Sequence, residues 1–225
     1  MISIDFHAHI VPSADHGSDS IATSIWQVDE AIKNKIDLIV CTPHFYPHQH
    51  NVKSFLKRRD KGFCELQKFT VDKGKKINLL RGAEILICDR LEMLPGLSSL
   101  CIENTSTLLI ELPFSGLHHE HIECCENLIE NGFDVVLAHV DRYSPENIER
   151  LIECGAKLQI NCDSLGVLFP KKHLLDWIDR GLVVAIGSDI HMKNKKAYRY
   201  YSSFRKKHPE RFKLICDLSQ KYLKG

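Results

Sequence analysis

The residues of this chain best suited to chemistry are its histidines, thirteen among 225 residues. Imidazole is the commonest metal ligand and the usual acid or base near neutral pH. Histidines and carboxylates recur in short patterns: Asp5-Phe6-His7-Ala8-His9 with His16 in the next loop, Thr42-Pro43-His44, Gly82-Ala83-Glu84, Ile110-Glu111-Leu112-Pro113, Ala138-His139, and Gly187-Ser188-Asp189-Ile190-His191. The His-x-His and Asp-x-His pairs have the i, i+2 spacing that points two side chains to one face of a strand. Singly, each pattern is weak. A lone His after a strand is usually a satisfied loop residue, and a lone Glu there is usually solvated or caps a helix. The conjunction carries the weight: five His, two Glu and one Asp at successive strand ends, plus His16, where apolar residues would ordinarily stand.

Mixed imidazole and carboxylate without thiolate suits Mn, Fe or Zn. Nine ligands exceed the needs of one four-coordinate ion, so two or three ions are expected, some sharing a carboxylate. Ions clustered at roughly 3.5–4 Å are typical of phosphoester hydrolysis. The nine cysteines form no C-x-x-C pair, are odd in number and sit mostly in apolar stretches. They read as reduced structural thiols of a cytoplasmic protein. No Cys is followed six residues on by Arg, which excludes the thiolate–guanidinium phosphate loop of thiol-based phosphatases.

The elements that must position these groups follow from apolar periodicity. Strands are expected at Ile2–Phe6, Ile36–Thr42, Ile77–Ala83, Thr107–Leu112, Asp134–Ala138, Lys157–Asn161 and Val183–Gly187. Helices are expected near Ser20–Asn34, Val52–Phe69, Glu120–Asn131, Pro145–Cys154 and Lys171–Arg180, with one or two more over Asn194–Leu223. Such alternation predicts an α/β fold with a helix-covered parallel sheet, either a closed βα-barrel or an open doubly wound sheet. In either, the C-terminal strand ends share one side, so the nine ligand-type residues converge on one mouth. No repeat or linker divides the chain, and Pro95-Gly96-Leu97-Ser98-Ser99 reads as an internal loop.

The ordered set H-x-H, a downstream His, TPH, GAE, IELP, AH-x-x-R and GSD-x-H resembles the PHP (polymerase and histidinol phosphatase) superfamily. More closely, it resembles the bacterial PHP-type protein tyrosine phosphatases of capsule and exopolysaccharide loci. The resemblance runs from Asp5 to His191. It implies a distorted, TIM-like (β/α)7 barrel, residues 1–225 forming one domain, and a trinuclear site usually active with Mn2+. Carried over, His7, His9, Glu84 and Asp189 would hold one ion, with Glu84 also bridging. Glu111 and His139 would complete a second site, and His16, His44 and His191 a third. Arg142, Asp189 and His191 are the expected catalytic residues, with Arg142 facing the phosphate.

Two positions depart from the family pattern. Asp15-His16-Gly17 stands where the capsule phosphatases commonly read DDG, which keeps a ligand but removes a negative charge. After His191 the chain offers Met192-Lys193-Asn194-Lys195-Lys196 where an Arg is usual. Lysine neutralises phosphate without the bidentate fork.

The implied reaction is phosphomonoester hydrolysis, with a metal-bridged hydroxide attacking phosphorus in line. The implied partner is a phosphotyrosine protein, with a tyrosine kinase of a polysaccharide locus among the candidates. Alternatives are a histidinol-phosphate or other small-molecule phosphoesterase of the same fold, an amidohydrolase or TatD-like hydrolase, and a non-catalytic metal-binding protein.

Other features weigh less. Leu117-His118-His119-Glu120-His121 reads as the start of a solvent-facing helix, Tyr46 to Asn51 as part of a substrate wall, and Asn161 and Asp163 as supports at the mouth. From Lys193 to Gly225 eleven Lys/Arg oppose two Asp/Glu, which reads as a solvated face. A net charge of +1 gives no general pull toward nucleic acid or anionic membrane, and no basic and aromatic stacking face is visible. No apolar run approaches the ~20 residues needed to span a bilayer. The start of the chain shows no secretory leader. Self-association is left open.

Overall fold

Strand and helix largely alternate along the chain, except that the strands at Leu38–Cys41 and His44–Phe45, and those at Asn78–Arg81, Glu84–Leu86 and Thr107–Glu111, follow one another without an intervening α-helix. The computed structural model describes residues 1–114 and 116–224. The elements in order are β1 (Ile4–Ala8), α1 (Ile21–Lys33), β2 (Leu38–Cys41), β3 (His44–Phe45), α2 (Val52–Asp72), β4 (Asn78–Arg81), β5 (Glu84–Leu86), β6 (Thr107–Glu111), α3 (His119–Glu130), β7 (Asp134–Leu137), α4 (Pro145–Glu153), β8 (Lys157–Asn161), α5 (Cys162–Leu165), α6 (Lys172–Asp179), β9 (Val183–Gly187), α7 (Lys196–Lys207) and α8 (Pro209–Tyr222). Local chemistry sets several helix starts. Ser20 caps α1 by accepting from the Thr23 amide, Asn51 caps α2 through the Ser54 amide, and Ser144 precedes Pro145 at the first position of α4.

Every strand pairing is parallel. The second and third expected strands end at Cys41 and Arg81, and after breaks at Thr42-Pro43 and Gly82-Ala83 the chain resumes as two short strands, β3 and β5, that apolar periodicity did not predict. Proline has no amide hydrogen to donate to a ladder. The ladders therefore form two sheets, β1-β2-β4 and β3-β5-β6-β7-β8-β9. The breaks are bridged: the Gly82 amide donates to the Cys41 carbonyl (2.9 Å) and the Glu84 amide to that of Pro43 (3.1 Å). Joined there, the two sheets form one distorted ring of seven strand passages. Between β1 and the end of β9 the ring meets through one parallel bridge, Ala8 to Ile190, with the Asp189 amide donating to the His7 carbonyl (2.8 Å). Buried Asp5 reinforces this seam, its carboxylate accepting from the Ser188 amide (2.8 Å), the Ser188 hydroxyl (2.6 Å) and the Tyr198 hydroxyl (2.9 Å).

The core has two layers. Ile4, Phe6, Val40, Leu109, Val136 and Val184 fill the inner face, with Leu218 and Tyr222 of α8 packed against them. The outer layer lies between strands and helices and includes Ile39, Leu108, Leu158, Phe63, Trp177 and Phe204. Both faces of a parallel sheet are thus covered, as such sheets require.

Two register shifts decide which side chains reach the mouth. Strict alternation from Ile4 and Phe6 would turn Ala8 and Ile10 inward. A shift between Asp5 and Ala8 instead leaves Ala8 and Ile10 in the outer layer and turns His7 and His9 into the ring. A second shift, where Leu158 and Gln159 pair with Val183 and Ala185, does the same for Gly187 and Asp189. Bulges beside a functional site commonly re-aim side chains in this way. Gly187 is needed here, because a Cβ would lie 2.5 Å from the His7 Cβ and 2.6 Å from the Gln159 side chain. All nine cysteines are free, six of them buried.

Candidate metal centre

The C-terminal strand ends carry the expected ligands to one mouth, with Glu84 at its centre. The register pairs His44 with Glu84, and Leu86 with Glu111, across neighbouring strands, so these side chains share the mouth. Glu84 Oε2 lies 3.4 Å from His7 Nε2, 3.2 Å from His9 Nε2 and 2.7 Å from His44 Nδ1. Glu84 Oε1 lies 2.8 Å from His139 Nε2, which is also 3.5 Å from Glu111 Oε1. Asp189 Oδ1 lies 3.7 Å from His7 Nε2 and 3.4 Å from His9 Nε2.

Donor atoms fall into three groups within 4.8 Å: His7, His9 and Glu84; His44, Glu84 and Glu111; and His9, His44 and His191. His44 is thus shared between a Glu84–Glu111 group and an outer imidazole group. His16 stands on the exposed rim, its ring stacked 4.6 Å from His191 and 5.0 Å from His44.

These residues fit divalent ions. His44 Nδ1 and Glu84 Oε2 are buried side by side but off the line a hydrogen bond requires, and His191 Nε2 is likewise buried without a partner. Unsatisfied buried lone pairs are costly, and a shared cation satisfies them. The electrostatics also favour the ligating form of the carboxylates. Burial alone would raise the Glu84 pKa, but His7, His139 and His44 outweigh it and hold it well below the usual range. Asp189 is likewise held low against burial by His7 and His9. Burial works against charge on His9, yet Asp15, Asp189 and Glu84 keep its pKa well above the ordinary value. His139 is pushed up to about 9 by Glu111 and Glu84 despite its burial. Burial and then the nearby His9 bring His191 down to about 4.

Of the supports that hold the rings, sequence reading singled out Asn161 but not Gln159 or Asp15. Gln159, fully buried on β8, places Oε1 3.1 Å from His7 Nδ1 and 2.6 Å from the His139 amide. That contact assigns the proton to His7 Nδ1 and leaves Nε2 free to ligate. Gln159 Nε2 donates to Asn161 Oδ1 (3.0 Å), and Asn161 Nδ2 donates to Asp189 Oδ2 (3.1 Å), so one amide chain links three ligands. Asp15 faces His9 Nδ1 at 2.7 Å and accepts from the amides of His44 (2.9 Å) and Gly17 (2.8 Å). The signals were present: an inward glutamine in Lys157-Leu158-Gln159-Ile160-Asn161, and an aspartate beside His16.

Backbone strain marks the same place. His139 and Asp189 adopt positive φ of 34° and 48°, a left-handed conformation costing non-glycine residues of order 1–3 kcal/mol.

The ligands open into a cavity of about 710 Å³ lined in part by Tyr46, Phe114, Arg142, Asn161, Lys196 and Tyr200. Arg142 follows His139 by one turn and pairs with Asp189. Of the weaker candidates, Asp163 lines the cavity and His48 is exposed. His118 to His121 form the start of α3, where His121 is buried and its Nδ1 accepts from the His118 amide (3.1 Å). This corrects the expectation that the stretch faces solvent throughout.

A seven-passage parallel ring whose strand ends deliver histidines and carboxylates to one mouth defines an α/β protein of the PHP, TIM-like kind. The chain belongs to the family described as "Capsular polysaccharide synthesis, CpsB/CapC", whose model matches residues 3–209. It is 29% identical over 198 residues to the tyrosine-protein phosphatase YwqE of Bacillus subtilis, covering 84% of this chain and 77% of that protein. It is 25% identical over 205 residues to the tyrosine-protein phosphatase CpsB of Streptococcus agalactiae, covering 84% and 82%.

Among solved structures, one described as YwqE and Streptococcus pneumoniae CpsB, metal-dependent tyrosine phosphatases, superposes with a TM-score of 0.82 at 24% identity, covering 98% of this chain and 94% of that one. Histidinol phosphate phosphatase of Lactococcus lactis, solved with zinc, L-histidinol and phosphate, gives 0.56 at 15% identity, covering 91% and 93%. Among the described residues, no helix is long and apolar enough to cross a membrane.

Proposed function

We propose that residues 1–225 form one catalytic unit, a metal-dependent phosphomonoesterase that removes phosphate from phosphotyrosine in a protein substrate. One observation carries this reading: Glu84 stands amid four imidazoles at the floor of a cavity whose wall presents the cations Arg142 and Lys196. Ligands below and cations above suit a phosphate dianion. The names of the family's relatives support the substrate.

His7, His9, Glu84 and Asp189 would hold one ion, Glu84, Glu111 and His139 a second, and His16, His44 and His191 a third, with Mn2+ the proposed metal. Such ions supply Lewis-acid charge and acidify water near neutral pH.

The chain's own groups do the rest. Arg142 points its guanidinium at the cavity while paired with Asp189, placed to stabilise equatorial phosphoryl oxygens as charge builds. Asp189 turns one oxygen to His7 and His9 and the other to Arg142 and Asn161, which fixes the arginine relative to the ligands. Lys196 adds charge at the rim without a fork. Burial and the Glu111 carboxylate push the Tyr46 hydroxyl up to about 12, so it stays protonated at the cavity wall and can donate to a phosphoryl oxygen. A tyrosinate leaving group, with a reference pKa of about 10, departs without a strong general acid.

A tyrosine kinase of a polysaccharide locus is the proposed protein partner. A reducing, cytoplasmic setting suits the free cysteines.

The test is phosphate release by metal-stripped protein, with and without added Mn2+, from a tyrosine-phosphorylated peptide and from histidinol phosphate. Mn-dependent release favouring the peptide is expected. Preference for histidinol phosphate would move the substrate, and no release from either would end the phosphatase reading.

A further inference from the structure

An unusual column of aromatic rings climbs from the ligands to the rim. The His139 ring stacks on Tyr143, with centroids 6.0 Å apart and planes 28° apart. Tyr143 stacks in turn on Phe114, at 6.2 Å and 30°. The Tyr143 hydroxyl donates to the Leu112 carbonyl at 2.6 Å, which pins the middle ring to the end of β6. Phe114 is 75% exposed, yet it lines the cavity that holds Arg142 and the ligands. Tyr46 lines the same cavity from another loop, stacked on His44 at 5.2 Å and 19°.

A large apolar ring standing mostly in water at the edge of a polar cavity gains little from the fold beyond its contact with Tyr143. Its partner on one face is Tyr143, and its remaining exposed surface is available to a ligand. A phosphate entering toward Arg142 brings whatever group it is esterified to past Phe114. An aryl group can cover that ring by offset or edge contact, whereas a short alkyl arm leaves it wet. Aromatic pairs add binding beyond simple burial.

We propose that Phe114, propped on Tyr143, is the specificity-determining residue that recognises the aromatic ring of an aryl phosphomonoester. The inference rests on the phosphatase reading above and deepens it. The position of Phe114 sets the preference for a ring next to phosphate, while the ligands and Arg142 handle the phosphate itself.

The test uses non-hydrolysable probes, so that the better leaving group of an aryl ester does not enter. Binding of phenylphosphonate and methylphosphonate to Mn-loaded protein is measured by calorimetry for wild type, Phe114→Ala and Phe114→Tyr. The wild type should prefer phenylphosphonate. Phe114→Ala should cut that preference roughly three- to tenfold, the range an aromatic pair is worth, and Phe114→Tyr should restore it. An unchanged preference in Phe114→Ala, or a loss shared equally by both probes, overturns the proposal. The peptide assay on wild type reports the phosphatase reading separately. Peptide hydrolysis with an unaltered probe preference sinks only the role of Phe114. Absence of both hydrolysis and probe binding in wild type removes the reading and this inference together.

Discussion

The floor of the mouth and its rim are built differently. On the floor, His7, His9, Glu84 and His139 are at most 1% exposed, and His7 and His9 are each braced by a side chain outside the ligand set, Gln159 and Asp15. On the rim, His16 and Lys196 are exposed, and the side chain of His191 is 28% exposed, with Nδ1 3.0 Å from the Asp189 carbonyl. The floor is preorganised by burial and by these bracing contacts. The rim must recruit order from what binds. On the proposed assignment, the difference would separate ions held by the fold from an ion and a substrate held by loops.

Substitutions can break or sharpen that contrast. The largest effect should come from the floor: His7→Ala or Asp189→Ala should each cost more than about a thousandfold in kcat for phosphopeptide hydrolysis, since each would remove a proposed ligand and with it several kcal/mol of charge stabilisation. Circular dichroism should show the fold retained. Turnover within tenfold of wild type in both variants would dismiss the centre.

Gln159→Leu should follow, with a loss of about 10- to 100-fold in metal affinity or activity, read by metal titration. A Gln159→Leu protein that binds metal normally would show that the floor needs no bracing.

On the rim, His16→Ala should lower the number of tightly bound ions, counted by elemental analysis after gel filtration, while costing about tenfold or less in turnover. The smallest effect belongs to Lys196→Ala, a roughly fivefold rise in KM that Lys196→Arg reverses, as suits a solvent-screened charge pair. Equal losses for His16→Ala and His7→Ala would erase the distinction between floor and rim.

Much of this was legible in the sequence. The alternation of apolar runs foretold the parallel α/β layout, and the strands at Lys157–Asn161 and Val183–Gly187 match residue for residue. All nine ligand-type residues come to one mouth because parallel strands share a C-terminal side. The register shifts at Asp5–Ala8 and at β8–β9 were not legible. A bulge is a tertiary compromise between ladder and packing, and alternation counted along one strand cannot reveal it. The short strands β3 and β5, beyond Thr42-Pro43 and Gly82-Ala83, were not legible either, since segments of two and three residues are too short to show a period. Gln159 and Asp15 escaped notice because a supporting residue is defined by what it touches.

The seam between β1 and β9 gives the ring an unusual kind of fastening. A hoop joined by ladders elsewhere is riveted at one point there, beside a carboxylate knot around Asp5. His7 and His9 stand on one lip of that join and Asp189 on the other. A cation gripped by both lips would act as a clasp, lending its binding free energy to that join of the wall. The protein's cohesion and its catalytic competence would then be drawn from one reservoir, and losing the ion would loosen the hoop as it emptied the mouth.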